Sequence, residues 1–132
     1  MNWSDIPSRH PRTLHVANLD SSDYDPSADR EATIDPDKAD VISSLMWDTQ
    51  VGDGAQHFPV LDLDIPAYLL PSSTEGHSHL YLDVQLDDAR FWALCDALAE
   101  AGILEPGYVS ACKARGYTSV RLPWVKKAEV SA

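Results

Sequence analysis

The chain has 132 residues, of which 44% are apolar, and a formal net charge of −11. This length supports one hydrophobic core, and the apolar content is too high for general disorder. No stretch approaches the roughly 18 consecutive apolar residues of a membrane span, and the first ten residues contain no signal segment. We therefore expect a cytoplasmic protein with no membrane partner, in which Cys95 and Cys112 are reduced thiols.

The negative charge is unevenly distributed along the chain. Residues 1–56 hold 11 acidic and 4 basic side chains, residues 57–132 hold 10 and 6, and the stretch from Pro106 to Ala128 has no acid. A strongly acidic chain repels nucleic acid at long range, so contact with a polyanion is expected only at that acid-free stretch. The simpler interpretation, that the charge only maintains solubility, stays open.

The first predicted elements are an arm and a helix. Residues 1–33 combine prolines with a Ser/Asp-rich run and show no periodicity, which predicts an extended or disordered acidic arm ahead of a single domain at 34–132. Asp35 and Pro36 then fit an N-cap and the first position of a helix. A helical apolar stripe follows them, formed by Val41, Ile42, Leu45 and Met46.

Two strands and a second helix are predicted next. Alternation over residues 58–65, and again over 77–84, places leucines on one strand face and Asp or His side chains on the other. The segment from Pro66 to Gly76 is expected to be a connection. Asp87 and Asp88 open a helix that ends before Gly102, and its apolar stripe is expected to cover the leucine faces.

The end of the chain is less regular. Residues 106–116 fit either a short helix or one arm of a hairpin, and both interpretations stay open. Alternation over 118–125 predicts an edge strand, because Pro123 lacks the N–H that a central strand needs. The order of elements predicts an α+β fold, with a small, largely antiparallel sheet, helices packed on one face and an extended N-terminal arm.

Four potential metal ligands alternate on the predicted strands. Asp62 and Asp64 share one strand face, and His77 and His79 share a face of the later strand. If the strands are neighbours, all four side chains lie together on the exposed face of the sheet. Carboxylates and imidazoles suit Mn²⁺ or Mg²⁺, with Zn²⁺ as the weaker expectation. The alternative is an ordinary solvated face of a half-buried sheet.

Part of this pattern resembles a known family. The hydrophobic-Asp-hydrophobic-Asp run at 61–64 and the Ser-x-His segment within 72–81 are similar to the first two motifs of archaeo-eukaryotic primases and primase-polymerases, over about 25 residues. The resemblance implies these roles: Asp62 and Asp64 hold metals, and His79 or His77 contacts nucleotide phosphate. The family's third metal-binding Asp has no counterpart, since residues 118–125 offer Arg121. The resemblance therefore implies a reduced relative without catalytic competence.

A broader resemblance runs from about His57 to Lys127. The Pro-Val-Leu-Asp-Leu-Asp-Ile-Pro run, the His-Ser-His-Leu-Tyr-Leu-Asp run and the Arg-Gly-Tyr-Thr-Ser-Val-Arg-Leu-Pro-Trp run resemble small uncharacterised proteins of actinobacteria and their phages. This likeness implies a setting, the host cytoplasm for a phage-encoded chain. It implies no activity.

Basic and aromatic side chains are interleaved in the acid-free stretch. Guanidinium and ammonium groups suit phosphates, and aromatic rings suit stacked bases. The candidate nucleotide- or phosphate-binding residues, besides His79, are Lys113, Arg115, Tyr117, Arg121 and Trp124, with Tyr108, Lys126 and Lys127 beside them. The alternative is that the aromatics belong to the core and that the lysines form a charged tail.

Three functional hypotheses follow from these features. The leading one is a small binding module for a nucleotide or nucleic-acid phosphate, acting through a divalent metal at the Asp/His cluster. The second is a non-catalytic protein-interaction factor that acts on a host protein through its acidic arm. The third is a metal-dependent phosphodiesterase or nuclease that uses the same Asp pair, so catalysis stays open.

Overall fold

The computed structural model describes residues 1–6, 11–16 and 31–126. The chain divides into two compact units, Met1–Asp62 and Leu63–Ala132. The strands are β1 (Arg12–Val16), β2 (Glu31–Thr33), β3 (Val41–Met46), β4 (Ala67–Pro71) and β5 (Ser78–Leu82), and the helices are α1 (Asp88–Glu100) and α2 (Pro106–Arg115). In the described residues, no helix is long and apolar enough to cross a membrane.

The first unit is built on a three-stranded antiparallel sheet in the order β2-β1-β3. Leu14 of β1 lies opposite Thr33 on one side and Ile42 on the other, so these side chains share a face. A register shift between Arg12 and Leu14 interrupts the β1–β3 ladder. Thr13 at this irregularity is buried, and its hydroxyl donates to the Leu45 carbonyl oxygen at 2.9 Å. That bond joins the strands where the ladder is broken.

The helix predicted after Pro36 is wrong, because residues Val41–Met46 form β3. The Asp35 side chain accepts from the Asp37 N–H at 3.0 Å, and the Asp35 carbonyl accepts from the Lys38 N–H at 3.1 Å. These bonds make a single turn that does not propagate. The β-branched pair at the start of β3 prefers a pleated strand, and pairing with β1 outweighs the helical spacing of the apolar residues.

Two of these strands, β1 and β2, fall within the predicted arm at 1–33, next to a short 3-10 helix at Trp3–Asp5. The rest of that arm, at 7–10 and 17–30, lies outside the described residues. The predicted domain limit at residue 33 stays a prediction.

The second unit begins with an antiparallel hairpin of β4 and β5. The strand expected within 77–84 is confirmed as β5, whereas the strands expected over 58–65 and 118–125 are not formed. The predicted connection from Pro66 to Gly76 contains β4. Its short apolar run has a proline at each end and shows no alternation, so the sequence pattern did not indicate a strand there. Gly76 closes the turn at φ 78°, a left-handed conformation that suits glycine.

The helices of the second unit begin and end at clear signals. Asp87 caps α1 by accepting from the Arg90 N–H at 2.8 Å, and Gly102 follows the helix at φ 78°. Pro106 starts α2, and Gly116 ends it at φ 93°. The open alternative at 106–116 is therefore resolved as a helix.

The α+β class with small antiparallel sheets is confirmed, but one detail of the packing is wrong. The helix α1 packs against α2, and within the described part of the chain neither helix packs on the leucines of β5. The buried apolar side chains of the described residues all lie on this helix pair: Cys95, Val109 and Cys112. The helix pair therefore forms its own small core and leaves the hairpin uncovered.

Replacing Asp87 with alanine is expected to lower the stability of α1 by about 1 kcal/mol, because the Arg90 N–H loses its capping acceptor. Hydrogen exchange of the Arg90 and Phe91 amides should become faster by a corresponding factor. Asp87→Asn is the matched control, since asparagine caps helices as well as aspartate does. Equal exchange in the alanine and asparagine variants would contradict the capping role.

Candidate functional site

The four predicted metal ligands do not lie on two paired strands. Asp62 is the last residue of the first unit and Asp64 lies in the second, in a stretch without strand structure. The strand that pairs with β5 is β4, so the expected pairing of an Asp strand with the His strand is wrong. Between residues 31 and 126 and in the two short described segments before them, no three His, Cys, Asp or Glu side chains form a group that could hold a metal ion.

The two histidines occupy different settings on the hairpin. His77 lies in the turn, where its N–H donates to the Thr74 carbonyl at 3.0 Å. His79 lies on β5 opposite Leu70 and is half-buried. The cross-strand pairs place His79 and Tyr81 on one face of the hairpin and Leu80 and Leu82 on the other, as the alternation predicts.

Two of the predicted phosphate-binding cations are engaged within their own unit. The Lys113 Nζ atom lies 2.7 Å from a carboxylate oxygen of Asp96. The Arg115 guanidinium donates to the Cys112 Sγ atom at 3.3 Å and lies 6.0 Å from the centroid of the Tyr117 ring. The Lys113 ion pair therefore joins α2 to α1, whereas the contacts of Arg115 lie within α2 and the residues just after it.

The remaining predicted cations and aromatics of this stretch point to solvent. Tyr117 and Arg121 are exposed, and Trp124 is 76% exposed. Arg121 and Lys126 make no hydrogen bond or ion pair with the residues that the structure describes. Lys127 lies outside the described residues. The available basic-aromatic surface thus consists of Arg121 and Lys126 with two exposed rings.

Tyr108 fastens the chain that follows α2. Its hydroxyl donates to the Ser119 carbonyl oxygen at 3.1 Å, across the glycine that ends the helix. Burial, followed by a hydrogen bond with Cys112, raises the pKa of the Tyr108 phenol. A raised pKa keeps the phenol protonated, and so able to donate, as the pH rises past the usual value near 10.

The two cysteines are buried free thiols, as expected for a reduced pair. Burial, followed by the nearby Asp96 carboxylate, raises the pKa of the Cys95 thiol. A raised pKa lowers the thiolate fraction, so Cys95 is a poor nucleophile at neutral pH.

The first unit contains a cleft that the sequence analysis did not predict. It has a volume of about 150 Å³ and is lined by Arg12, Leu14, Thr33, Ile34 and Trp47. The floor is Leu14 and the opposite Thr33 on β2, and Ile34 and Trp47 follow β2 and β3 directly. Ile34 is 79% exposed and Trp47 40% exposed, so the rim is apolar and open to solvent.

Backbone contacts hold the rim of this cleft in place. The Arg12 guanidinium donates to the carbonyls of Phe58 and Pro59, each at 3.0 Å, and the Trp47 N–H donates to the Pro11 carbonyl at 2.6 Å. Asp48 next to Trp47 has a left-handed backbone with φ 68°. The sequence contained one signal for this site, an isolated Trp47 beside a charge. The pairing of β1 with β2, which completes the cleft, joins segments that are distant in the sequence, so no local pattern indicated it.

No family model, curated protein or solved structure matches this chain. An inference about its function must therefore come from the chemistry of three surfaces: the cleft, the hairpin and the basic-aromatic stretch.

Replacing Tyr108 with phenylalanine is expected to free the chain after α2, because the bond to the Ser119 carbonyl is lost. A bond of this kind contributes about 0.5–1.5 kcal/mol, so limited trypsin cleavage after Arg121 should become roughly 2- to 10-fold faster. Tyr117→Phe is the control, since the Tyr117 hydroxyl makes no hydrogen bond in the described residues. Equal cleavage rates in both variants would show that Tyr108 does not restrain this segment.

Proposed function

We propose that this protein is a non-catalytic binding factor that holds a segment of another protein in the cleft of its first unit. The observation that carries the proposal is the apolar, solvent-open rim of Ile34 and Trp47 beside a fixed Arg12. Tryptophan and arginine are enriched among the residues that dominate binding energy in protein interfaces. The Arg12 guanidinium and the Trp47 backbone are already held by hydrogen bonds, so less conformational freedom is lost on binding.

The size of the cleft favours a side chain of a protein partner over a small-molecule ligand. Its volume of about 150 Å³ is below the range of about 300–1,000 Å³ typical of ligand pockets. The lining side chains include no carboxylate, imidazole or thiol, the groups that general acid–base and nucleophilic catalysis use. These features support insertion of one apolar side chain of the partner, without chemistry.

The charge around the cleft favours a basic partner segment. Asp35 follows Ile34 directly, Asp48 follows Trp47, and residues 1–56 carry 11 acids against 4 bases. Complementary charge increases the association rate and selects among partners. The partner chemistry proposed is therefore an apolar anchor residue flanked by Lys or Arg, presented by a host protein if the chain is phage-encoded.

A photo-crosslinking amino acid at position 34 is expected to give adducts with the partner when the full chain is expressed in its natural cell. Position 51 is the matched control, since Val51 is as exposed as Ile34 but does not line the cleft. Adding Trp47→Ala should reduce the adduct at least 10-fold, because loss of an aromatic anchor costs about 2 kcal/mol or more. Equal adduct yields from positions 34 and 51 would overturn the proposal.

A second candidate function is binding of a nucleotide or nucleic-acid phosphate in the second unit. It is favoured by Arg121 and Lys126, which have no ion-pair partner among the described residues, beside the exposed ring of Trp124 in a stretch without acids. A divalent metal, Mn²⁺ or Mg²⁺ before Zn²⁺, held by the Asp/His cluster remains part of this candidate as proposed from the sequence. A metal-dependent phosphodiesterase is its catalytic form.

If the second candidate holds, Mn²⁺ with a nucleoside triphosphate should raise the melting temperature. Saturation at about 100 times the dissociation constant adds roughly 2.7 kcal/mol, which is a shift of several degrees. The variant Asp62→Ala/Asp64→Ala tests the metal and Arg121→Ala the phosphate contact, with Arg90→Ala as a control cation outside the stretch. No shift with Mn²⁺, Mg²⁺ or Zn²⁺, with or without nucleotide, would exclude this candidate, and Mn²⁺-dependent cleavage of a phosphodiester would reveal the catalytic form.

A further inference from the structure

The β4–β5 hairpin exposes apolar side chains on both of its faces. Within its own unit, neither α1 nor α2 packs on it. On one face Leu69 and Leu80 are 66% and 56% exposed, and on the other Tyr68 is also exposed. An isolated two-stranded hairpin is only marginally stable in water, and stability requires a third strand or a packed face.

The outer edge of β5 is prepared to accept a third strand. The Asp83 N–H donates to the Pro66 carbonyl, and the Ser72 N–H donates to the His77 carbonyl. These two bonds identify which cross-strand pairs of the hairpin are hydrogen-bonded. Because bonded and non-bonded pairs alternate, the backbone groups of Ser78, Leu80 and Leu82 point away from β4. The Leu82 carbonyl already accepts from the Val84 N–H at 3.0 Å, so Ser78 and Leu80 supply the open part of this edge. The outward positions of β4 include Pro71, which has no N–H, so β5 is the better edge.

The segment at 118–125 has a strand pattern but forms no strand in this chain. Val120, Leu122 and Trp124 alternate along it, and all of them are exposed. The Val125 N–H donates to the Leu122 carbonyl at 3.0 Å, which makes a single turn at its end. A strand over this segment requires that bond to break.

We propose that the segment at 118–125 of one copy adds, antiparallel, to the outer edge of β5 in a second copy, and that the exchange is reciprocal. Leu122 lies opposite Leu80 in this pairing, so that Val120 faces Leu82 and Trp124 faces Ser78. The apolar side chains of the segment then cover the leucine face of the hairpin. Strand addition of this kind supplies backbone hydrogen bonds and side-chain burial together.

The proline in the segment fits this pairing. When Val120, Leu122 and Trp124 share the leucine face, their N–H and C=O groups point towards β5, and those of the intervening residues point away. Pro123, which has no N–H to donate, is then on the outward side. Ser119 is also on that side, and its carbonyl can keep its hydrogen bond from Tyr108.

Charge also complements across the proposed pairing. The two hairpin strands contain no Asp, Glu, Lys or Arg, but Glu75 lies in their turn and Asp83 follows β5. The incoming segment carries Arg121, and Lys126 follows the segment directly; neither makes an ion pair with another residue that the structure describes. The register places Lys126 next to Glu75 and Arg121 opposite Tyr81, so cations meet an acid and an aromatic face.

The segment that pairs with β5 comes from a second copy and not from the same chain. Within one chain, the bond from Tyr108 to the Ser119 carbonyl anchors the start of the segment to α2. The α1–α2 pair does not pack on the hairpin, so the segment is fastened to a part of the unit that leaves β5 uncovered. This surface is independent of the cleft in the first unit, so the inference goes beyond the proposed function.

The test is sedimentation of the full chain, followed by cross-linking between copies. The chain is expected to convert from monomer to dimer as its concentration rises to about 1 mM. When a Leu80→Cys chain is mixed with a Leu122→Cys chain, mild oxidation should form a disulfide between the two. Cα atoms across an antiparallel pair are about 4.5–5.5 Å apart, within disulfide reach.

Two controls distinguish this contact from non-specific association of exposed apolar side chains. Leu80→Cys mixed with Ile103→Cys should give at least 10-fold less disulfide, since Ile103 is exposed but lies outside the segment. Leu122→Asp should abolish the dimer, and Ile103→Asp should leave it intact. A monomer at all concentrations would overturn the inference, as would a dimer that survives Leu122→Asp, or association only after an oligonucleotide is added. None of these outcomes would affect cross-linking at position 34.

Discussion

Removal of apolar surface from water supplies most of the free energy of folding, and in the described residues this burial is concentrated between α1 and α2. Cys95, Val109 and Cys112 are buried there, with Cys112 at 0% exposure. The other described elements are held mainly by backbone pairing and by single side-chain bonds such as that of Thr13. Strand faces that a larger core would cover are consequently left in solvent. Large exposed apolar patches mark binding surfaces in most proteins.

Both units present exposed apolar side chains next to their strands. In the first unit, backbone contacts fix Arg12 and Trp47 around a cleft the size of one side chain. In the second unit, the hairpin has an apolar face and an open edge. Among the described residues, the groups with a shifted pKa are Cys95, in the helix core, and Tyr108, which makes the bond to the segment after α2. Their shifts have structural causes and do not indicate a catalytic centre.

Local signals in the sequence predicted local structure well. Asp87, an apolar stripe and Gly102 were enough for α1, and strict alternation was enough for β5. The errors arose where pairing between distant segments decides the outcome. At 41–46 the pairing with β1 overrode a helical spacing, and at 118–125 an alternating pattern has no strand beside it among the described residues. The cleft could not be foreseen because it depends on the non-local pairing of β1 with β2.

The prolines at 71 and 123 have a consequence for how far the assembly can grow. An open sheet edge is a template for repeated addition, which leads to fibrils. In the proposed dimer, Pro71 interrupts the donors along one outer edge and Pro123 interrupts those along the other. A further strand would leave acceptors unmatched on either side, so growth stops after one addition. Proline, which makes β4 the poorer edge for strand addition, thus also limits further growth of the proposed dimer.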